Sequence, residues 1–526
     1  MGTIKWMSAA MLAAMVAAAP AAIAQQPVKG GVLKIVVASE PPSLVSASNS
    51  SLWIANISTK IHEGLIKYGL NMEMQPSLAE SWDFAKDGLS MTFKLRQGVK
   101  WHDGQPFTSA DVKFSMDEVW KKLHPRGRTT FAAVTGTETP DAHTVIFRLS
   151  RPTPAALVSL SAYEAQIVPK HIYEGKDFNA HPGLSAPIGT GPFKFKEWRK
   201  GQYAELERFD DYWDKGKPHL DGLIFRFVAD AGSRAVALEA GDAYYSPFSP
   251  VPASDVTRLE KLPHLGIETK GYAFFSPMQV AEVNTRKPPL NDVRVRQAIR
   301  HALNLDFLVK NIWFGFGVPA TSPIQSTSPF YLKDTPQLAY DVNKANALLD
   351  EAGYKRGAGG NRFTIRLLHG LTGENPRTSE YIKQALARVG VQVELQSGDL
   401  GAFIRRIYTE NDFDLSVNSM FLSPDPTIGV QRMYWTGAIA KGVAFSNSSG
   451  YSNPEADKLW EVTQSEADPA KRTAAFHELQ RIIHRDQPVI NLLEAKYFTV
   501  YNKKLVNHTL TADGPYGTFA DAYIVP

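Results

Sequence analysis

Between Phe363 and Leu395 the chain changes its hydrophobic period twice, and that order restricts the fold more than any other feature. Phe363-Thr-Ile-Arg-Leu-Leu368 has the make-up of a strand, Thr378 to Val389 has helical spacing and stops at Gly390, and Val391-Gln-Val-Glu-Leu395 is a second strand. Strand, helix and strand in close succession require an open sheet with helices on its faces, an α/β fold. Asp341 to Ala352 adds a helix closed by Gly353. Gly30-Gly31-Val-Leu-Lys-Ile-Val-Val37 reads as a largely buried first strand, Ile54 to Ile66 as a helix, and Thr144-Val-Ile-Phe-Arg-Leu149 as an alternating strand. At 526 residues the chain exceeds what one core serves, so two or more lobes are expected.

The first residues belong to a different problem. Lys5 precedes an apolar run from Met7 to Val16, and Ala22-Ile23-Ala24 before Gln25 has the form of a cleavage site, so 1–24 reads as a signal peptide. The apolar run is too short to span a bilayer, and no later stretch reads as a span. Cysteine is absent, which removes disulfides, thiolate chemistry and the acylation site of a lipoprotein. The formal charge of +4 is small, and cations are interspersed with acids, so no nucleic-acid partner is expected. The mature chain is expected to be periplasmic, soluble and monomeric.

Several local motifs have to be sorted before function is argued. Met91-Thr-Phe-Lys-Leu-Arg96 alternates as a strand, His102-Asp-Gly-Gln-Pro106 is a turn, and Thr108 with Asp111 caps a helix carrying Val112, Met116 and Val119. His102 and Asp103 are read as turn residues rather than an acid/base pair. The glycines of Pro187-Ile-Gly-Thr-Gly-Pro-Phe193 suggest a phosphate cradle, but Pro192 and a following strand exclude one. Gly315-Phe-Gly-Val-Pro-Ala320 formally fits a dinucleotide fingerprint and fails because Pro319 and Pro323 bar the helix. A helix begins at Leu290-Asn-Asp-Val, capped by Asn291 or Asp292. Its Arg294, Arg296 and Arg300 are expected on a solvated face with local ion pairs. There is no Gly-x-Ser-x-Gly elbow and no phosphate-binding lysine loop. His477-Glu478 lacks a zinc motif's second histidine, since Arg481 stands there. No catalytic constellation, cofactor or metal site is therefore expected.

Phe93 to Ser115, with Pro76-Ser-Leu-Ala-Glu-Ser-Trp82 and Asp87-Gly88 before it, resembles the signature of the peptide/nickel class of extracytoplasmic solute-binding proteins, receptors of ABC importers. Further likenesses are Gly189-Thr-Gly-Pro-Phe193, Asp211-Tyr-Trp213, Pro218-His-Leu-Asp221, the helix from Leu290 to Ala302, and Ala345 to Tyr354. Gly450-Tyr-Ser-Asn-Pro-Glu-Ala-Asp457 and Arg485-Asp-Gln-Pro-Val-Ile490 complete the set, so the resemblance spans nearly the whole mature chain. It implies a periplasmic-binding-protein-like two-lobed fold with hinge strands and an extra small lobe. Lobe I would comprise 25–56, 187–270 and 492–526, the accessory lobe 57–186, and lobe II 271–491. The implied function is a non-enzymatic receptor that closes on a peptide or peptide-like solute and delivers it to the importer's permease subunits. The alternatives are a receptor for an opine-like conjugate or a chelated metal and, from another class, a secreted hydrolase.

Such a site needs a cation for a carboxylate, an acid for an ammonium and aromatic walls. Arg377 follows Gly373-Glu-Asn-Pro at a strand-to-helix junction and resembles the arginine that some dipeptide-binding members use for the ligand carboxylate; it equally suits an exposed helix start. Peptide binders place an aspartate for the ligand amine slightly before an Asp-Pro pair, but this chain reads Phe421-Leu422-Ser423 there. Asp425 either substitutes or makes the Asp-Pro turn. Trp53, Tyr272 and Phe421 are candidate walls, with Ser423 beside them; Tyr212 and Trp213 suit either core or pocket. The ligand implied is carboxylated or otherwise anionic.

Export should leave a mature chain that begins at Gln25. Intact-mass measurement of the periplasmic protein checks this, and a full-length cytoplasmic product would refute it.

Overall fold

The computed structural model describes residues 26–335, 338–371, 373–398 and 400–526. The signal peptide read at 1–24 lies outside them. Three sheets organise the described chain. The first has seven strands in the order Leu265–Glu268, Thr499–Asn502, Tyr245–Ser246, Val32–Val37, Gly222–Phe227, Tyr203–Arg208 and Phe193–Arg199. Val32–Val37 is central and runs parallel to Gly222–Phe227. Leu33, Ile35 and Val36 are fully buried, as a central strand packed on both faces requires.

The second sheet has six strands, Gly317–Pro319, Val489–Ala495, Ser276–Val283, Leu415–Leu422, Phe363–Gly370 and Val391–Gly398. Phe363–Gly370 is parallel to both neighbours, and helix Asn375–Ala387 makes the crossover, so the strand-helix-strand reading holds. The third sheet is antiparallel: Ala79–Phe84, Ser90–Leu95, Thr144–Leu149 and Val134–Asp141. Helix Ser109–Phe114 covers it, with Thr108 as N-cap, and buries Val112. Asp111 secures that start twice: one oxygen accepts from the Thr108 amide at 2.9 Å and the other from the Lys170 amide at 2.9 Å. Two large sheets and a smaller antiparallel one thus mark three lobes.

Three expectations change. The helix expected over 54–66 stops at Ser58, because the carbonyls of Lys60 and Ile61 accept from the amides of Phe193 and Gly191 instead. A Cβ at Gly189 would lie 1.8 Å from the Ile61 carbonyl oxygen, and one at Gly191 would lie 2.5 Å from that of Lys60. Close backbone approach is therefore what these glycines serve. Arg296 and Arg300 are buried rather than solvated: Arg296 donates to the carbonyls of Leu290, Asn291 and Asp486, and Arg300 to that of Leu303. Only Arg294 forms a local ion pair, with Asp292 at 2.6 Å. The division expected at 492 falls inside Val489–Ala495, which pairs with Ser276–Val283 and so stays in the six-stranded sheet. The chain crosses between the two large sheets at 269–275 and at 496–498.

Polar clamps fasten the four-stranded lobe to the seven-stranded one. His102 accepts from the Gly189 amide through Nδ1 at 3.2 Å, and its Nε2 lies 2.9 Å from the Gly191 carbonyl oxygen, an arrangement met by the neutral ring. Burial holds its pKa down at about 4. Glu63 accepts from Thr190 Oγ1 at 2.9 Å, Tyr212 Oη at 2.8 Å and Trp213 Nε1 at 3.0 Å, which makes Tyr212 and Trp213 structural. Burial pushes Glu63 up to about 7 despite these donors.

A carboxyl group whose folded pKa lies above its unfolded value near 4.5 contributes most stability below that value and loses it as pH rises through about 7. Stability should therefore fall across this window by an amount on the order of a few kcal/mol from Glu63 alone. Glu63→Gln should flatten the fall. Urea midpoints of both proteins at either end of the window test it, and an equal fall in the two would refute the assignment.

Candidate functional site

The two crossing segments are rich in aromatic residues, and their rings gather partners from all three lobes. Phe275, on the first crossing, stacks on Phe421 of the six-stranded lobe with centroids 4.5 Å apart and planes 11° from parallel. Tyr272 on the same crossing meets Tyr497 on the second at 5.6 Å, and Tyr497 lies 6.2 Å from Phe421. Phe248 of the seven-stranded lobe touches Trp53, Tyr272, Tyr497 and Tyr516 at 5.8, 5.9, 6.1 and 5.4 Å. Tyr163, from the four-stranded lobe, completes the ring group at 5.1 Å from Phe275 and 4.6 Å from Tyr516. Offset and edge-on contacts of this kind are the favoured aromatic geometries.

Phe248 sits at φ +61°, a left-handed conformation uncommon for a non-glycine residue. Its amide donates to Tyr272 Oη at 3.0 Å, and that oxygen also bonds Thr499 Oγ1 at 2.6 Å. Tyr272 of the first crossing, anchored on Thr499 at the start of the strand after the second, thus fixes the backbone at Phe248, a local strain of the kind that concentrates at ligand sites. Trp53, Tyr272 and Phe421 are accordingly brought together. Ser423, two residues past Phe421, lies half-buried at the turn into helix Pro426–Gly429.

The charges expected from sequence are placed otherwise. Asp425 caps helix Pro426–Gly429 by accepting from the Thr427 amide at 3.0 Å and pairs with Arg472 at 2.8 Å, with side chains only 1% and 6% exposed. A carboxylate held this way is not free for a ligand amine, and the Asp-Pro turn reading prevails. Arg377 is 57% exposed, pairs with Glu374 at 3.3 Å and lies over the Phe314 ring at 5.9 Å, at the rim. No ring contact joins it to the aromatic group among the described residues.

Two other arginines adjoin the rings. Arg126 pairs with Glu164 at 2.8 Å and lies over the Tyr163 ring at 5.3 Å, while its Nη2 is buried and meets no acceptor. Arg432 is half-buried and has no carboxylate within ion-pair distance among the described residues. Its Nε donates to the Gly429 carbonyl at 3.1 Å and its Nη2 to that of Phe421 at 3.4 Å. The hydroxyls of Tyr163 and Tyr516 are both buried, and Tyr163 lies between Arg126 and Tyr516. Neither arginine stands in a sequence motif; only the fold places them here.

The arrangement is closed. Helix Pro154–Val158 of the four-stranded lobe touches helix Pro454–Ser465 of the six-stranded lobe, and Arg151 Nη1 donates to Gln464 Oε1 at 3.4 Å. Shallow depressions around Tyr501 and His508 and around Tyr203 and Arg226 include none of these rings. Among the described residues no three His, Asp or Glu side chains gather as a metal site, and no helix is long and apolar enough to cross a membrane.

The sequence profile of the bacterial extracellular solute-binding proteins, family 5, middle region, matches residues 73–442. The glutathione-binding protein GsiB of Pectobacterium atrosepticum is 28% identical over 531 residues, covering 98% of this chain and 98% of the relative. The oligopeptide-binding protein AppA of Bacillus subtilis is 30% identical over 494 residues, covering 88% of this chain and 86% of the relative. The structure of that AppA with a nonapeptide superposes with a TM-score of 0.77 at 27% identity, covering 95% of this chain and 100% of AppA. AgaA from A. tumefaciens R10, solved with agropinic acid, gives a TM-score of 0.75 at 28% identity, covering 94% of this chain and 99% of AgaA.

Removing one member of a buried ion pair leaves the other charge uncompensated. Arg472→Met should therefore lower stability by about 3–5 kcal/mol in urea denaturation, and adding Asp425→Asn should recover much of it. If Arg472→Met is as stable as the parent, Asp425 is not committed to the fold.

Proposed function

The chain belongs to family 5 of the bacterial extracellular solute-binding proteins, and from that premise we propose that its ring group is the solute site and that its solute is a short carboxylated molecule. The chain is a solute-binding receptor of the peptide class of ABC importers. The observation that carries the site is the convergence of Trp53, Phe248, Phe275, Phe421, Tyr163 and Tyr516 from three lobes around the crossings. Aromatic walls with a few polar groups are what a small-molecule site requires.

The polar groups indicate what the solute brings. Arg126, Tyr163 and Tyr516 bring a guanidinium and two buried hydroxyls together beside the rings. A solute that supplies acceptors to these donors stabilises the closed arrangement more than the open one. A carboxylate meets guanidinium and hydroxyl donors together. Asp425 is occupied by Arg472, so the solute's amine has no anchor there. Rings 4.5–6.4 Å apart leave little room for an extended chain like the nonapeptide of AppA, which favours a short peptide or an amino-acid conjugate. The receptor acts without turnover, as a periplasmic monomer that is free of a lipid anchor and docks on permease subunits after closing.

Gentle purification followed by native mass spectrometry should find one small carboxylated molecule per chain. Phe421→Ala should weaken its binding roughly tenfold, because an aromatic wall contributes its buried area and about 0.5–1.5 kcal/mol more. Chemical conversion of the bound molecule, or binding unaffected by the substitution, would overturn the reading.

A further inference from the structure

We propose that the segment 316–326 of the six-stranded lobe is a collar on the crossings, in which the positioning residues Phe316, Gln325 and Ser326 couple the two passages so that neither bends alone. The coupling is a property of the solute-free chain and stands apart from the solute assignment.

The collar starts at the second crossing. Gly317–Pro319 pairs with Val489–Ala495, and the ladder continues past the sheet, because the Lys496 amide donates to the Phe316 carbonyl at 3.2 Å. The Phe316 ring lies 4.6 Å from that of Phe498 and packs against the core of the seven-stranded lobe around Val36, Leu238 and Val500. A side chain of one lobe is thus seated against the core of the other, at the passage between them.

The collar ends on the first crossing. Gln325 is buried, and its Nε2 donates to the Ala273 carbonyl at 3.3 Å. Ser326 then reaches back toward the second crossing, giving its amide to Glu494 Oε1 at 2.9 Å and its hydroxyl to Oε2 at 2.7 Å. Glu494 is buried two residues before that crossing, and a carboxylate with a separate donor on each oxygen has little freedom to turn. Between these ends the segment is itself fastened. The Ala320 amide donates to the Leu492 carbonyl at 3.2 Å, Ser322 Oγ donates to Gln480 Oε1 at 2.7 Å, and Ile324 is buried in the core beside Met278 and Val489. Two flexible joints gripped by one fixed piece share an axis, since turning either one drags the piece against the other.

Hydrogen exchange of the solute-free protein, followed by mass spectrometry, reads the coupling from one crossing to the other. Phe316 grips the second crossing, so Phe316→Ala should speed exchange across 269–275 in the first by roughly fivefold. Gln325 grips the first, so Gln325→Ala should speed exchange across 496–498 by a similar factor, roughly what one lost hydrogen bond gives. Phe316→Leu keeps an apolar anchor and should exchange much as the parent does. The central strand 32–37 should keep the parent's rate in every variant, which separates loosened crossings from a weakened fold. If Phe316→Ala does not fold, Gln325→Ala read at 496–498 decides alone. Acceleration confined to the crossing that the substituted residue grips, or spread equally to 32–37, would overturn the collar.

Discussion

The chain passes between its two large sheets only twice, and the site depends on what those passages can carry. A crossing segment leaves the hydrogen-bond ladder of both sheets, so its side chains can pack into a core, as Phe274 and Phe498 do, or reach between lobes. Here the crossings supply Tyr272, Phe275 and Tyr497, whose rings contact Phe248, Phe421, Tyr163 and Tyr516. Large rings meeting at offsets and edges keep contact through small rotations better than interlocked aliphatic side chains, whose packing is lost with small displacements. An interface of this sort can close and reopen without dismantling either sheet.

The four-stranded lobe joins the seven-stranded lobe on different terms. Its connection is made of buried polar groups with fixed partners: Glu63 with Thr190, Tyr212 and Trp213, and His102 with the Gly189–Gly191 backbone. Lys60 adds a buried ammonium that donates to Thr59 Oγ1 and the Pro515 carbonyl and lies 4.7 Å over Phe519, with burial lowering its pKa to about 7. Such networks tolerate little sliding, because each displaced partner leaves a desolvated donor or acceptor behind. The contrast implies a division of labour. Fixed polar bonds join the four- and seven-stranded lobes, and aromatic contacts at the crossings join the six-stranded lobe to them.

How much of this was legible in the sequence follows from the range of each interaction. The strand-helix-strand order at 363–395 and the Thr108–Asp111 helix start depend on neighbours along the chain, and both stand in the structure. Trp53, Tyr272 and Phe421 are separate wall candidates in the sequence, and only the structure joins them through ring contacts. Arg377 and Asp425 drew attention through local context, and the fold gave each an intramolecular partner. Arg126 and Arg432 carry no local signal, since 306 positions separate them and only tertiary folding sets them against one ring stack. Arg296 and Arg300 depart from expectation for another reason: their acceptors are backbone carbonyls, Leu290, Asn291 and Leu303 nearby and Asp486 at a distant helix end, which leave no charge pattern in the sequence.

The commitment of Asp425 to Arg472 shapes selectivity as much as the arginines do. A receptor that offered a free carboxylate near Phe421 would attract zwitterions, because an ammonium and a carboxylate could each find a partner across the cleft. Here that carboxylate is paired inside the six-stranded lobe, and Glu282 is held by hydroxyls. Discrimination is a difference of affinities, and it is set partly by the groups a wrong ligand leaves unpaired. An amine brought beside Arg126 and Arg432 would meet like charge, with Glu164 already engaged by Arg126 and Glu282 by hydroxyls, whereas a carboxylate would meet donors. The same pairing that stabilises the lobe therefore leaves the proposed site without a free carboxylate from Asp425.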